Sequence, residues 1–142
     1  VHESEGQLGA MEDDLRSILA QDPDHTATLN ALGYTLTNNT QRYEEAADLI
    51  ERALALSPGD PAILDSLGWV YYKLGQYSES EALLREAHNA FPDPEVAAHL
   101  GEVLWVQGRQ IEARDVWRDG LSQVPDHPVI LEAVERLGAE LP

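Results

Sequence analysis

Several residue types that support common kinds of site are absent or scarce in this sequence. The 142 residues include no cysteine, which excludes disulfides, zinc–thiolate sites and a cysteine nucleophile. Lys73 is the only lysine, and 9 basic side chains stand against 26 acidic ones, for a formal charge of −17. Such a chain repels polyanions at long range, so nucleic acid and anionic membranes are poor partners. No apolar run approaches the roughly 18 residues that cross a bilayer, so no direct membrane insertion is expected.

The polar residues follow no pattern that is typical of catalysis or metal binding. None of the five histidines lies three or four residues from another, as a metal site on a helix requires. Carboxylates are too numerous for any pair to indicate acid–base catalysis, and no serine or glycine lies in a nucleophile-elbow or phosphate-loop motif. We therefore predict no enzymatic activity, no catalytic residue, no metal site and no cofactor.

An internal repeat of about 34 residues organises the chain. Three segments share the frame L/A-x-x-L-G-x-x-L/Y: LNALGYTL (29–36), LDSLGWVY (64–71) and AAHLGEVL (97–104). A second apolar stretch follows each of them and ends at a proline, Pro58, Pro92 or Pro125. This order of helix, turn, helix and proline predicts an all-α solenoid of antiparallel helix pairs.

Local signals place the helices within this frame. Asp60-Pro61 and Asp93-Pro94 are typical of an N-cap followed by the first helical residue. Gly68 and Ser80 are small, which predicts that the two helices of the middle repeat cross closely there. The segment 37–43 has one residue more than the matching segment of the middle repeat, so we expect a longer turn in the first repeat.

The middle repeat resembles the tetratricopeptide repeat (TPR) family. The matches to the TPR signature are Leu64, Leu67, Gly68, Tyr71, Ser80, Leu84, Ala87 and Pro92. The resemblance implies a TPR α–α superhelix. The runs LNALGYTL, DPAILDSLGWVYYKLGQ and DPEVAAHLGEVLWVQGR are similar to the C-terminal repeats of proteobacterial TPR proteins, many of them outer-membrane lipoproteins. That similarity implies a periplasmic location and an outer-membrane-anchored parent, with a cytoplasmic location as the alternative.

We expect a single TPR domain over 1–142 with five parts. These are the second helix of a truncated repeat (8–22), repeat 1 (25–58), repeat 2 (60–92), repeat 3 (93–125) and a C-terminal capping helix (127–142). The first part lacks its partner helix, so Met11, Leu15 and Ile18 are expected to form an open apolar face. Either this chain is a piece of a longer solenoid, or a second copy covers that face. The capping helix is expected to close the native C-terminus.

The resemblance also implies a peptide-binding groove on the concave face, lined by the first helix of each repeat. The predicted groove residues are Asn30, Tyr34, Asn38, Asp65, Trp69, Tyr72, Lys73, Glu95, His99, Glu102 and Trp105. Rings of this kind are frequent anchors in recognition, and the carboxylates favour a basic or amine group. We expect Trp69→Ala to weaken binding and to leave folding intact. The alternative is that Trp69 and Trp105 only fill gaps between repeats, whereas Trp117 is predicted to lie in the core.

The resemblance implies a protein–protein interaction module, an adaptor or scaffold. Its partner is expected to be a protein or peptide with apolar anchors and some positive charge. A chaperone-tail receptor is not expected, because the positions of its carboxylate clamp carry residues such as Glu95 and His99. The alternative function is a self-assembling segment that forms a homodimer through Leu8, Leu15 and Ile18. A third is an accessory domain of an enzyme whose catalytic part lies outside this sequence.

Overall fold

The computed structural model describes residues 2–141, with side chains from residue 6 onward, and this part of the chain contains helices and no strand. The helices are α1 (His2–Gln21), α2 (Thr26–Asn39), α3 (Tyr43–Leu56), α4 (Pro61–Lys73), α5 (Tyr77–Ala90), α6 (Pro94–Val106), α7 (Gln110–Gln123) and α8 (Pro128–Arg136). The predicted all-α class is confirmed. None of these helices has an apolar stretch long enough to span a bilayer.

The helices pack as consecutive pairs that form two layers. The pairs are α2 with α3, α4 with α5 and α6 with α7. The first helices also contact one another in the series α2, α4, α6 and α8, whereas within the described residues the backbones of α3, α5 and α7 do not approach one another. The layer of first helices is therefore the shorter, concave side of the array.

The crossing of α4 and α5 depends on two small residues, as predicted. The Ser80 hydroxyl donates to the Gly68 carbonyl oxygen at 2.6 Å, so the two backbones nearly touch. A Cβ atom at Gly68 would lie 2.7 Å from Leu84 Cγ, which is closer than two carbon atoms can pack. The small side chains thus set the separation of the two helices, and Leu84 fills the space beside them.

The helix boundaries follow the capping signals. The Asp60 carboxylate accepts from the Ala62 N–H at 3.0 Å, and Asp93 accepts from the Glu95 N–H at 2.8 Å. A proline occupies the first turn of both α4 and α6. Gly75 follows α4 with φ +82°, a conformation that favours glycine. The two predicted helix starts are confirmed.

Three boundaries differ from the sequence prediction. Helix α1 begins at His2, six residues before the predicted start at residue 8. The turn of the first repeat, 40–42, has three residues like the turn 74–76, because α2 continues to Asn39 and absorbs the extra residue. The Thr40 hydroxyl donates to the Leu36 carbonyl oxygen at 2.5 Å and closes the helix there. The capping helix predicted over 127–142 ends at Arg136, and Gly138 follows it with φ +71°. Residue 142 lies outside the described residues.

Helix α1 presents an open apolar face. Met11 is 47% exposed and Ile18 is 43% exposed, while Leu15 is half-buried against the core cluster that α2, α3 and α4 form. The equivalent positions of α3, which include Ile50 and Ala53, are completely buried against α2. The exposed face of α1 is thus the one that a preceding helix would cover in a complete pair.

Candidate functional site

The concave face brings eight of the eleven predicted groove residues together as hydrogen-bonded pairs. The pairs are Tyr34 with Glu95, Asn38 with Trp69, Asp65 with His99 and Tyr72 with Glu102. Each pair joins two different first helices, so these side chains bind the concave layer together. The sequence placed them on one face but did not predict that they are partners.

The bond between Tyr34 and Glu95 divides the groove. The Tyr34 hydroxyl of α2 donates to Glu95 Oε1 of α6 at 2.9 Å, across the intervening helix α4. Burial and the negative charge of Glu95 raise the pKa of Tyr34, so its hydroxyl remains a donor. We call the space on one side the outer compartment, next to Ala31 and Phe91, and the space on the other side the inner compartment, next to His99 and Arg136.

The outer compartment has a volume of about 370 Å³ and largely apolar walls. Ala31, Ala62 and Val96 line it from α2, α4 and α6, and Phe91 forms its rim with 60% of its surface exposed. None of these four residues was predicted from the sequence. Phe91 is the only phenylalanine of the chain and directly precedes Pro92, where the other repeats have Ser57 and Val124. That contrast is the signal that could have identified it.

One polar atom beside this compartment has no partner. Asn30 Oδ1 is buried and makes no hydrogen bond to any described residue. Asn30 lines the outer compartment from α2. A buried acceptor without a donor is costly, so a ligand N–H that reached this oxygen would gain a hydrogen bond at a site already removed from water.

The inner compartment, about 250 Å³ in volume, is built around a stack of rings. The Trp69 ring stacks with that of His99, with ring centres 4.1 Å apart, and with that of Tyr72, at 5.0 Å, while the Lys73 ammonium is 4.8 Å from the indole centre. Trp69 is only 7% exposed. This burial contradicts the expectation that Trp69→Ala leaves folding intact, because the ring packs α2, α4 and α6 together.

Glu102 is the most deeply buried carboxylate of the groove. Its side chain is 3% exposed and accepts hydrogen bonds from the Tyr72 hydroxyl at 2.7 Å and from Arg136 Nη2 at 2.5 Å and Nη1 at 3.1 Å. Burial and the bond to this carboxylate raise the pKa of Tyr72. Arg136 supplies the countercharge and connects α8 to α6.

Three of the eleven predicted groove residues, Asn30, Lys73 and Trp105, lie outside these four pairs. Trp105 is half-buried, with its ring centre 5.8 Å from that of Trp117 and the Arg114 guanidinium 5.1 Å from its ring centre. Trp105 lines neither compartment. Its position fits the alternative that it fills a gap, and Trp117 is completely buried, as predicted.

The bond between His99 and Asp65 makes stability depend on pH. Burial opposes the charged imidazole, but the charge of Asp65 and its 2.8 Å hydrogen bond outweigh burial and raise the pKa of His99. Because the pKa of His99 is higher in the folded chain than the unfolded-state value of about 6.5, protonated His99 contributes its full stabilisation below pH 6.5. That contribution is lost as the pH rises through the pKa of His99 in the folded chain.

We predict that the free energy of unfolding from urea titrations falls as pH is raised above 6.5. His99→Gln is expected to remove most of this fall, and an unchanged slope in that variant would contradict the assignment.

Comparison with known proteins gives consistent results. Three family models described as tetratricopeptide repeat match residues 40–103, 12–61 and 94–119. The TPR repeat-containing protein PA4667 of Pseudomonas aeruginosa is 53% identical over 100 residues, which are 70% of this chain and 17% of that protein. This chain therefore spans less than a fifth of that relative's length.

Solved structures share the fold. The thermophilic TPR protein TTC0263 of Thermus thermophilus has a TM-score of 0.78 at 22% identity, over 95% of this chain and 73% of that one. The crystal structure of MamA has a TM-score of 0.73 at 18% identity, over 96% of this chain and 82% of that one. At these identities the likeness shows the helical superhelix alone.

Proposed function

Because this chain belongs to the tetratricopeptide repeat family, we propose that it is an adaptor or scaffold that binds a segment of a partner protein in its concave groove. The observation that carries this proposal is the outer compartment. It combines apolar walls, the exposed ring of Phe91 and the unpartnered oxygen of Asn30 in one cavity. Such a mixture of apolar surface and a few convergent polar groups is typical of a binding site.

We propose fewer ligand contacts than the eleven groove residues predicted from the sequence. Trp69 and Glu102 are buried and engaged with neighbouring helices, so we assign them to the support of the groove. Asn30, Tyr34 and Glu95 line the outer compartment, and we propose them as contacts together with Phe91. The ligand is then a segment with an apolar anchor for Phe91 and positive charge near Glu95.

We propose binding without catalysis, since groove side chains such as Tyr34 with Glu95 and Asp65 with His99 are joined in hydrogen-bonded pairs that hold the first helices together. The location in the periplasm and the membrane attachment of a longer parent stay predictions from the resemblance, and a cytoplasmic location is their alternative.

A tryptophan that fills the outer compartment tests the proposal. Peptides are first selected from a random dodecapeptide library for binding to the wild-type chain. Their affinities for the wild-type chain and for the Ala31→Trp variant are then measured by fluorescence polarisation. We expect affinity to fall at least about tenfold, because the new ring occupies the space of the ligand. Ala82→Trp is the matched control, since Ala82 belongs to α5, outside the groove. Equal effects of the two variants on every selected peptide would contradict groove binding.

A second candidate function is self-assembly through α1. The open apolar face with Met11 and Ile18 supports it, because a large exposed apolar face often marks a contact with another protein. Light scattering over a concentration series compares the chain with a Leu15→Glu, Ile18→Glu variant. A dimer that the variant loses would support assembly, and a monomer in both would rule it out.

A further inference from the structure

The outer compartment has more free hydrogen-bond acceptors than donors. Two of its hydroxyls are already used, since Tyr34 donates to Glu95 and Ser66 donates to a carbonyl of its own helix at 3.0 Å. Asp65, Asp93 and Glu95 each have one carboxylate oxygen engaged and a second oxygen that no described residue contacts by hydrogen bond. A ligand group for this compartment must therefore bring donors.

The same compartment is negatively charged. Its three carboxylates come from α4, from α6 and from the residue that caps α6, and no lysine, arginine or histidine with a described side chain lines it. His99 neutralises part of the charge of Asp65 from the side of the inner compartment. The remaining negative charge lies in a partly apolar cavity, where it is less screened than on open surface, so a cation is favoured.

The apolar walls distinguish between the two common protein cations. An ammonium is a compact and strongly hydrated charge that loses much hydration next to Ala31, Ala62 and Val96. A guanidinium is planar, more weakly hydrated and able to stack on an aromatic face such as Phe91, and it offers five donors for separate acceptors. The compartment thus fits arginine better than lysine.

We infer that the outer compartment is a subsite for an arginine side chain, carried by an extended segment of the partner next to an apolar residue. The inference rests on the proposed function of the groove. The guanidinium bonds to the free oxygens of Glu95 and Asp65, its methylene groups pack on Ala31, and the Asn30 oxygen accepts an N–H of the same segment.

This subsite is tested with synthetic peptides that have the sequences selected from the same library and an acetylated N-terminus. We expect arginine to be enriched among peptides whose binding is lost with Ala31→Trp. Replacing that arginine with citrulline, a neutral group of the same shape, is expected to weaken binding about 10- to 100-fold. Glu95→Gln should remove most of this difference, since the amide still accepts from Tyr34 but carries no charge. Glu86→Gln is the control for the same charge change on the exposed surface of α5.

The outcomes separate the subsite from the proposed function. The arginine subsite would be overturned, and groove binding left intact, by either of two results. One is that the peptides whose binding is lost with Ala31→Trp are not enriched in arginine. The other is that these peptides bind equally well when citrulline replaces the arginine. Peptides that require a free N-terminal amine would also overturn the subsite. If no selected peptide is sensitive to Ala31→Trp, groove binding itself fails.

Discussion

Replacing Trp117 with alanine is expected to lower the free energy of unfolding by about 3–5 kcal/mol. The indole is completely buried in the core between α6 and α7, and its Nε1 donates to the Ala98 carbonyl oxygen at 3.2 Å. The variant leaves a cavity and removes this additional hydrogen bond to the carbonyl oxygen. Urea denaturation followed by circular dichroism measures the loss. Trp105→Ala is the control, since that half-buried ring should give a clearly smaller loss.

Gly101 lies next to the Trp117 ring, and a double-mutant experiment tests why this position is a glycine. A Cβ atom there would lie 2.5 Å from two atoms of the Trp117 ring. Gly101→Ala is therefore expected to cost about 1–3 kcal/mol in the wild-type chain through overpacking. In the Trp117→Ala background the cavity accepts the new methyl group, so the additional cost should approach zero. Strictly additive losses would contradict this account of the crossing between α6 and α7.

The second large effect is expected at Arg136. Arg136→Met leaves the Glu102 carboxylate buried without its countercharge, and removal of one partner of a buried ion pair is strongly destabilising. Because the Arg136 side chain is 46% exposed, solvent screens the pair, and we expect a loss of about 1–3 kcal/mol in urea denaturation.

Two further variants identify the cause of that loss. Addition of Glu102→Gln to Arg136→Met should recover much of it, because the amide oxygen can still accept from Tyr72 and no charge remains buried. Arg118→Met removes an exposed arginine whose 3.4 Å pair with Asp115 lies on the surface, and it should cost no more than about 1 kcal/mol. A loss as large at Arg118 as at Arg136 would contradict the role of Glu102.

The fold could be predicted because its determinants are local in sequence. Gly68 and Ser80 are small where two helices cross, and Asp60 and Asp93 precede prolines at helix starts. Each of these features is visible without a three-dimensional structure. The error at 37–43 arose because residue spacing does not say whether an extra residue joins the turn or the helix.

The site was predicted less completely because partnership between side chains is not local. Position in the repeat placed Tyr34 and Glu95 on one face, but 61 residues separate them, and only the curvature of the array brings them into contact. The burial of Trp69 has the same origin. Phe91 was missed because it lies at the end of a second helix, where the resemblance implied no ligand contact.

The central claim is that partner segments bind in the concave groove, and an NMR titration tests it most directly. The ¹⁵N-labelled chain is titrated with a peptide selected from the dodecapeptide library. We predict chemical-shift changes concentrated at the amides of Ala31, Ala62 and Val96, and their loss in the Ala31→Trp variant. Changes confined to the open face of α1, around Met11 and Ile18, or to the second helices α3, α5 and α7 would contradict the account.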